Sequence, residues 1–374
     1  MKARLGDVCT VVSGSTPKST VPEYWDGDIK WITPAELSND TYIINDSARH
    51  ITALGVAKTG LKSFPAGTVI LSSRAPIGKT AIAGCEMFCN QGFKNLICSE
   101  KIDSKYLYYF LSGKTDYLNS LGRGATFKEI SKAIVENIEI PLPEVEEQKR
   151  IAACFERLLR LIQLQKAELE ELDKLVKSRF IELFGEPLSN QKGWQTMSIV
   201  EAAPIKSQRG DLADEVWLLN LDAVEAQTGT VLFKHRVQSG EINASTVYFT
   251  AESVLYSKLR PYLNKVVMPD EDGVATSEMI PMYPLADRLN RAYLCYWLRS
   301  DAFVRHISEK VAGAKMPRVS MDYFRSLAIE MPPLELQEQF AAFVEQTDKS
   351  KLAVQKGLQE LEILKKSLMQ QYFG

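Results

Sequence analysis

Arg74-Ala75-Pro76-Ile77-Gly78-Lys79-Thr80 is the stretch that most invites a chemical reading, because it closes on Gly-Lys-Thr, the ending of a phosphate-cradling loop. Such a loop needs a glycine five residues before that second Gly, where backbone must approach the phosphates. Ser73 stands there instead, and Pro76 removes one of the N–H donors a cradle would use. The three histidines, His50, His235 and His306, have no Ser or Cys nucleophile context. There is no GxGxxG and no Asn-Pro-Pro-aromatic run of an amino-methyltransferase, and Pro269-Asp270 lacks a following acidic-x-Lys at nuclease spacing. The six cysteines (Cys9, Cys85, Cys89, Cys98, Cys154, Cys295) form no CxxC pair, and Cys85 and Cys89 have no His or further Cys nearby at zinc-ligand spacing. These residues read as reduced thiols, and the chain offers no catalytic or metal centre of its own.

The chemistry it does offer is recognition, and it comes in matched pairs. Ala66-Gly67-Thr68-Val69-Ile70-Leu71-Ser72-Ser73-Arg74-Ala75-Pro76 parallels Ala251-Glu252-Ser253-Val254-Leu255-Tyr256-Ser257-Lys258-Leu259-Arg260-Pro261, with Lys79 and Lys265 following. Each segment is a strand ending in a Ser, a basic residue and a Pro. Basic residues fixed at strand ends can neutralise phosphates or reach guanine edges in a major groove. The same residues could simply be solvated and hold a turn, but their recurrence in both halves favours the binding role. Asn90-Gln91 carry amides able to pair with adenine, although a turn or cap is their simpler use. Gly122-Arg123-Gly124-Ala125-Thr126-Phe127-Lys128 and Gly313-Ala314-Lys315-Met316-Pro317-Arg318 are glycine-led basic loops that run on to Ser131 and Ser320. The expected DNA-contacting residues are therefore Arg74, Lys79, Asn90, Gln91, Arg123, Lys128, Lys258, Arg260, Lys265, Lys315 and Arg318.

Those loops need elements to hold them. Thr68-Val69-Ile70-Leu71, Thr80-Ala81-Ile82-Ala83, Val254-Leu255-Tyr256 and Lys265-Val266-Val267-Met268 are short apolar runs bounded by Gly, Pro or Ser, as strands are. Lys105–Leu111 and Arg291–Leu298 are aromatic-rich helices, better suited to core than to base stacking. A further junction also occurs twice. Ile138-Glu139-Ile140-Pro141-Leu142-Pro143 leads to Glu147-Gln148, and Ile329-Glu330-Met331-Pro332-Pro333-Leu334 leads to Glu338-Gln339; each passes into a long charged, leucine-rich segment that stops at Phe184-Gly185 or Phe373-Gly374. The period exceeds the roughly 20–50 residues of a solenoid repeat, so the unit duplicated is a domain plus a helix.

In the first long segment Ile151, Phe155, Leu158, Ile162, Leu169, Leu172, Val176 and Leu183 make a heptad seam, with Gln165 breaking one layer. The second has Phe340, Phe343, Val354, Leu358, Leu361, Leu364, Leu368 and Tyr372, with a polar middle at Thr347 and Lys351. A helix from about Glu146 to Phe184 would span roughly 58 Å and needs a partner, which the second copy can supply by antiparallel pairing. The alternative is that each helix packs on its own domain or recruits another protein. The expected architecture is α+β: globular domains over 1–143 and 186–334, of short β-strands plus helices, joined by long helices over 144–185 and 335–374 that pair as an antiparallel coiled coil with approximate two-fold symmetry.

Bulk properties agree. A chain of 374 residues exceeds one ordinary core, and 45% apolar with 25% charged residues is a globular composition. No apolar stretch of 18 residues and no signal-peptide core appear, which predicts a cytoplasmic protein without a membrane partner. A formal net charge of −2 means that any nucleic-acid binding must come from local basic patches.

The order of these motifs resembles the DNA-specificity subunit of type I restriction–modification systems (HsdS). In that family, two variable target-recognition domains are each followed by a region that begins with Ile-Pro-Leu-Pro…Glu-Gln and continues as a long helix. Here the match falls at Ile140–Gln148 and Met331–Gln339, and it extends over essentially the whole chain. The resemblance implies a non-catalytic subunit that reads a bipartite target in double-stranded DNA, one half per domain, with the helix pair acting as a ruler for the unread spacer. It also implies two adenine-N6 methyltransferase subunits and restriction/translocase subunits as partners. S-adenosylmethionine, ATP and Mg would serve those partners, and this chain would need no cofactor. The contrasting reading is a coiled-coil scaffold whose two terminal domains bind proteins rather than DNA.

Overall fold

The computed structural model describes residues 2–38, 41–74, 76–124, 128–206, 213–242, 245–311 and 315–374. The chain divides into two compact units, Met1–Gln165 with Gly357–Gly374, and Lys166–Lys356. Each unit is a strand-rich domain with two helical segments. One segment is the start of the long helix that follows the domain, and the other is the end of the other long helix.

In the first unit the strand Lys2–Arg4 pairs with Glu139–Pro141, so the domain's first and last strands lie side by side before the long helix Val145–Phe184 begins. A five-stranded sheet runs in the order Cys9–Ser13, Lys94–Cys98, Val69–Leu71, Thr80–Ala83, Ile43–Ile44. Its central strands are apolar throughout because both faces are covered. Successive strand residues point to opposite faces: Val69, Leu71 and Ile82 join Tyr106, Phe110 and Phe155 on one side, while Ile70, Ala81 and Ala83 join Phe64 and Phe93 on the other. The helix Ser104–Ser112 is core, with Tyr106, Tyr108, Tyr109 and Phe110 all buried.

The second unit repeats this plan. Gln195–Ser198 pairs with Ala328–Met331 ahead of the long helix Leu334–Phe373. The strands Val254–Ser257, Val266–Val267 and Met279–Met282 form a three-stranded sheet. Val254, Tyr256, Val266, Ile280 and Met282 face the helix Arg291–Arg299, with its buried Tyr293 and Trp297, while Leu255, Val267 and Met279 face Trp217 and Phe249.

The duplicated Pro…Gln junction has a physical cause. The side chain of Gln148 is fully buried; its Oε1 accepts from Asp103 N (2.9 Å) and its Nε2 donates to Lys101 O (3.0 Å) and Pro143 O (2.8 Å). In the second unit the equivalent residue is Gln337 rather than the expected Gln339, which is exposed: Gln337, equally buried, accepts from Asn290 N (2.8 Å) and donates to Arg288 O (3.0 Å) and Pro332 O (2.8 Å). Asp103 and Asn290 are the N-caps of the two aromatic helices. Each glutamine therefore ties the start of a long helix to the residue that caps the core helix beside it. Tyr106 and Tyr293 add a matching bond, donating at 2.8 Å to Pro141 O and Glu330 O.

The Phe-Gly endings are the second half of the plan. Phe373 packs on Tyr106 (5.2 Å between ring centroids), Phe110 and Phe155. In the other unit Phe184 packs on Tyr293 (4.7 Å) and Phe340 (5.6 Å). The antiparallel pairing is visible within each unit. In the first, Phe155 meets Phe373 and Tyr372, and Gly357 lies against Gln165. In the second, Phe180 meets Phe340 and Asp173 meets Lys351, Nζ to Oδ1 at 2.6 Å. The polar middle of the distal seam is thus filled by an ion pair, with Thr347 buried beside it. Two seam positions differ from expectation: Val344, 3% exposed, takes the layer expected of half-buried Phe343, and Lys365 that expected of Leu364. The half-buried residues include the alternating series 354, 358, 361, 365, 368 and 372, so Lys365 takes the layer and Leu364 is 46% exposed. A strict alternation of four and three is what a heptad demands, and the apolar character of Leu364 does not override it.

Candidate nucleic-acid interface

The first candidate loop is the hairpin between Val69–Leu71 and Thr80–Ala83. Ser72 N donates to Lys79 O (2.8 Å), Gly78 N to Ser72 O (3.0 Å), and Ser72 Oγ donates to Pro76 O (2.7 Å) while accepting from Lys79 N (2.9 Å). Gly-Lys-Thr therefore sits in a β-hairpin rather than in the strand-to-helix turn that a phosphate cradle requires. Lys79 Nζ is turned inward to donate to Leu37 O. The hairpin tip is sewn to two other loops: Ser73 N donates to Gly92 O (2.8 Å) and Ile130 N to Ser73 O (3.0 Å), and Arg74 and Arg123 both pair through their backbones with Glu129.

This stitching brings Arg74, Asn90, Gln91, Arg123 and Lys128 to one end of the sheet. Arg74 is half-buried, its Nε beside Gly92 at 3.5 Å from where a Cβ there would stand, and Arg123 and Lys128 are exposed. None of the three basic side chains has a partner among the described residues. Asn90 Oδ1 accepts from Gly92 N (2.9 Å), which is a turn-forming role, and exposed Gln91 accepts from the Thr16 hydroxyl. Beneath them lies Lys94, only 7% exposed, with Nζ 3.1 Å from Glu129 Oε1 and 3.4 Å from Ser73 Oγ. A buried ammonium needs such a partner, and the pair pins the glycine-led loop to the sheet.

The second unit carries the same frame. Ser257 N donates to Lys265 O (3.0 Å), Lys258 N to Glu278 O (3.0 Å), Val319 N to Lys258 O (2.9 Å) and Arg260 N to Pro317 O (2.8 Å). Lys265 Nζ donates to Leu221 O (2.6 Å), as Lys79 does to Leu37, and burial holds its ammonium below the ordinary lysine range. Arg318 is engaged by Glu278, with Nε 3.1 and 3.2 Å from the two carboxylate oxygens. Lys258 is half-buried, and Arg260 and Lys315 are exposed; none of their side chains has a partner among the described residues. Arg260 adopts φ 50° and ψ 63°, a left-handed conformation uncommon outside glycine and asparagine.

These bonds align Ser72-Ser73-Arg74 with Ser257-Lys258-Leu259. The backbone frame is duplicated, but its basic side chains are not: Ser73 stands where Lys258 does, and Arg74 where Leu259 does. Glu129 and Arg318 also coincide, with opposite charge, each answered from a neighbouring segment, by Lys94 at a strand start or by Glu278. Sequence reasoning missed Thr16, Lys94, Glu129 and Glu278; only Glu129, next to Lys128 in a singled-out loop, carried a signal. Ala75, Ala125, Thr126, Phe127, Gly313 and Ala314 lie outside the described residues. Among the described residues no cluster of three His, Cys, Asp or Glu is placed to hold a metal, and no helix is long and apolar enough to cross a membrane.

A family model for the type I restriction modification DNA specificity domain matches residues 1–174 and 191–363. The MjaIX specificity subunit of a Methanocaldococcus jannaschii type I restriction enzyme is 30% identical over 98% of this chain and 90% of its own length. The MjaVIII specificity subunit of the same organism is 23% identical over the same shares, and the Escherichia coli EcoDI specificity subunit is 25% identical over 66% of this chain and 63% of its own. Among solved structures, a chain from a study of assembly and conformational transition of the type I R-M system matches 100% of this chain and 97% of its own length with TM-score 0.64 and 17% identity. The type I S subunit of M. genitalium matches 100% and 96% with TM-score 0.58 and 16% identity. Identities this low speak for the fold alone.

Proposed function

This chain belongs to the type I restriction–modification DNA specificity family, and from that premise we propose that its two domains each read one half of a split target in double-stranded DNA. The observation that carries the proposal is the duplicated frame with unlike side chains. The same backbone bonds hold a strand-end hairpin and a glycine-led loop in both units, yet Arg74 and Arg123 stand on one and Lys258 and Arg260 on the other. A common frame presents the loops to the duplex in the same manner, and different donors read different bases.

Methyl transfer and cleavage are the work of partners. In this reading two adenine-N6 methyltransferase subunits bring S-adenosylmethionine and flip the target base out of the stack. Restriction/translocase subunits bring ATP and Mg. The chain itself supplies sequence choice.

Long-read methylation mapping of cells that express this chain with its methyltransferase tests the proposal. The expected result is adenine methylation at a bipartite motif, with one unread spacer and one modified adenine per strand. A continuous motif would overturn it, as would loss of both half-sites from loop substitutions in one unit alone.

A further inference from the structure

Cys9 and Cys98 stand directly opposite each other where the edge strand Cys9–Ser13 pairs antiparallel with Lys94–Cys98. Ser99 N donates to Val8 O at 3.0 Å just outside the pair. In an antiparallel ladder that bond makes the next pair inward, Cys9 with Cys98, a non-hydrogen-bonded one, whose Cα atoms lie about 4.5 Å apart and whose side chains share a face. That spacing falls within the roughly 4.4–6.8 Å window of disulfides. The neighbouring Cys98 thiol, together with burial, pushes the Cys9 thiol well above the ordinary cysteine range. Cys9 is 7% exposed and Cys98 is half-buried. We propose that this pair is a thiol–disulfide site, closed by exchange with a small disulfide of the glutathione class.

The accessible sulfur acts first. Cys98, as thiolate, attacks one sulfur of the small disulfide, forms a mixed disulfide and releases one small thiolate. That thiolate takes the proton of Cys9, and the Cys9 sulfur then attacks the Cys98 sulfur and displaces the second small thiolate, which is protonated by the proton Cys98 gave up. In sum two protein thiols and one small disulfide become one protein disulfide and two small thiols. The pair is one-sided within the duplicated plan, because the second unit holds a single cysteine, buried Cys295. Closure would tie residues 9 to 98, a loop that contains Arg74 and Asn90, and would restrict the unfolded first domain. The pair also lies at the opposite end of its ladder from Ser13 and Lys94, so the base-reading end keeps its geometry.

The test is to equilibrate the full-length chain in native buffer with oxidised and reduced glutathione at graded ratios. The samples are then quenched by alkylation and analysed by whole-chain mass and by peptide mapping. The expected result is loss of two hydrogens, a crosslinked peptide pair holding Cys9 and Cys98, and a higher unfolding midpoint in the oxidised form that reductant reverses. In Cys9→Ser the glutathione should stay on Cys98 as a mixed disulfide. Full alkylation of both thiols in excess oxidised glutathione would overturn the assignment, as would a crosslink between Cys85 and Cys89 in place of the 9–98 pair.

Discussion

On the proposed reading Arg260 is the candidate for base contact in the second unit, being exposed, without a partner among the described residues, and fixed by its own N–H to Pro317 O. Arg260→Ala keeps a Cβ and so a similar backbone cost, and should weaken duplex binding by about 1–3 kcal/mol with relaxed preference in one half-site only. Arg74→Ala should do the same for the other half-site. Binding competition with half-site variants checks both. Uniform weakening across sequences would make the residue a phosphate contact, and unchanged binding and methylation would remove it from the reading surface. Lys79 and Lys265 should respond differently. Each donates to a backbone carbonyl, Leu37 O or Leu221 O, so Lys265→Met should lower the unfolding midpoint of its unit and leave base preference alone. Sequence could rank all of these as basic residues at strand ends. It could not separate readers from braces, because the bracing atom is a main-chain oxygen 42 or 44 residues away, to which no side-chain pattern points. Arg318 was equally opaque, since Glu278, 40 residues off, belongs to no motif.

At the level of elements the sequence was far more legible, because helices and strands leave periodic traces. The paired apolar strands and the aromatic helices fall where their spacing puts them, the heptad runs do so apart from Phe343 and Leu364, and the Pro…Gln junction announced where each long helix begins. What the spacing did not convey is why a glutamine recurs there. The buried side chains of Gln148 and Gln337 each satisfy one backbone N–H and two carbonyls. Gln148→Ala would strand those groups at a cost of about 1–3 kcal/mol and lower the Tm by roughly 2–10 °C, and Gln337→Ala should match it. Thermal unfolding followed by circular dichroism reads this out, and a drop in only one of the two variants would refute the equivalence of the junctions. Within the helices, Gly357 opposes Gln165, where a new Cβ would come within 2.8 Å of a flexible amide end. That end can swing aside, so Gly357→Ala should gain helix stability of about 0.5–1 kcal/mol. A loss of stability would show that the glycine is needed for close helix approach.

The whole molecule carries a formal charge of −2, so its affinity for DNA cannot rest on a general positive field. Only Arg74, Arg123, Lys128, Lys258, Arg260 and Lys315, among the candidate cations, have side chains without a partner in the described residues. If all six met phosphates, six counterions would be displaced, and log K would fall with log salt at a slope no steeper than about −5. Contacts to bases release fewer ions and make the slope shallower still. Partner subunits would add their own phosphate contacts, so the slope measured for the full complex should be steeper than that for this chain. The catalytic readout should divide in the same way. The purified chain should bind its split target with that shallow salt dependence and yet transfer no methyl group from S-adenosylmethionine and cut no DNA. Addition of the methyltransferase subunits should restore adenine methylation at the same motif. A salt series by fluorescence anisotropy, run beside a radiolabelled methyl-transfer assay, measures both. A slope near −10 for the chain alone would mean that cations beyond these six carry the binding, and methylation by the chain alone would mean that the division of labour is wrong.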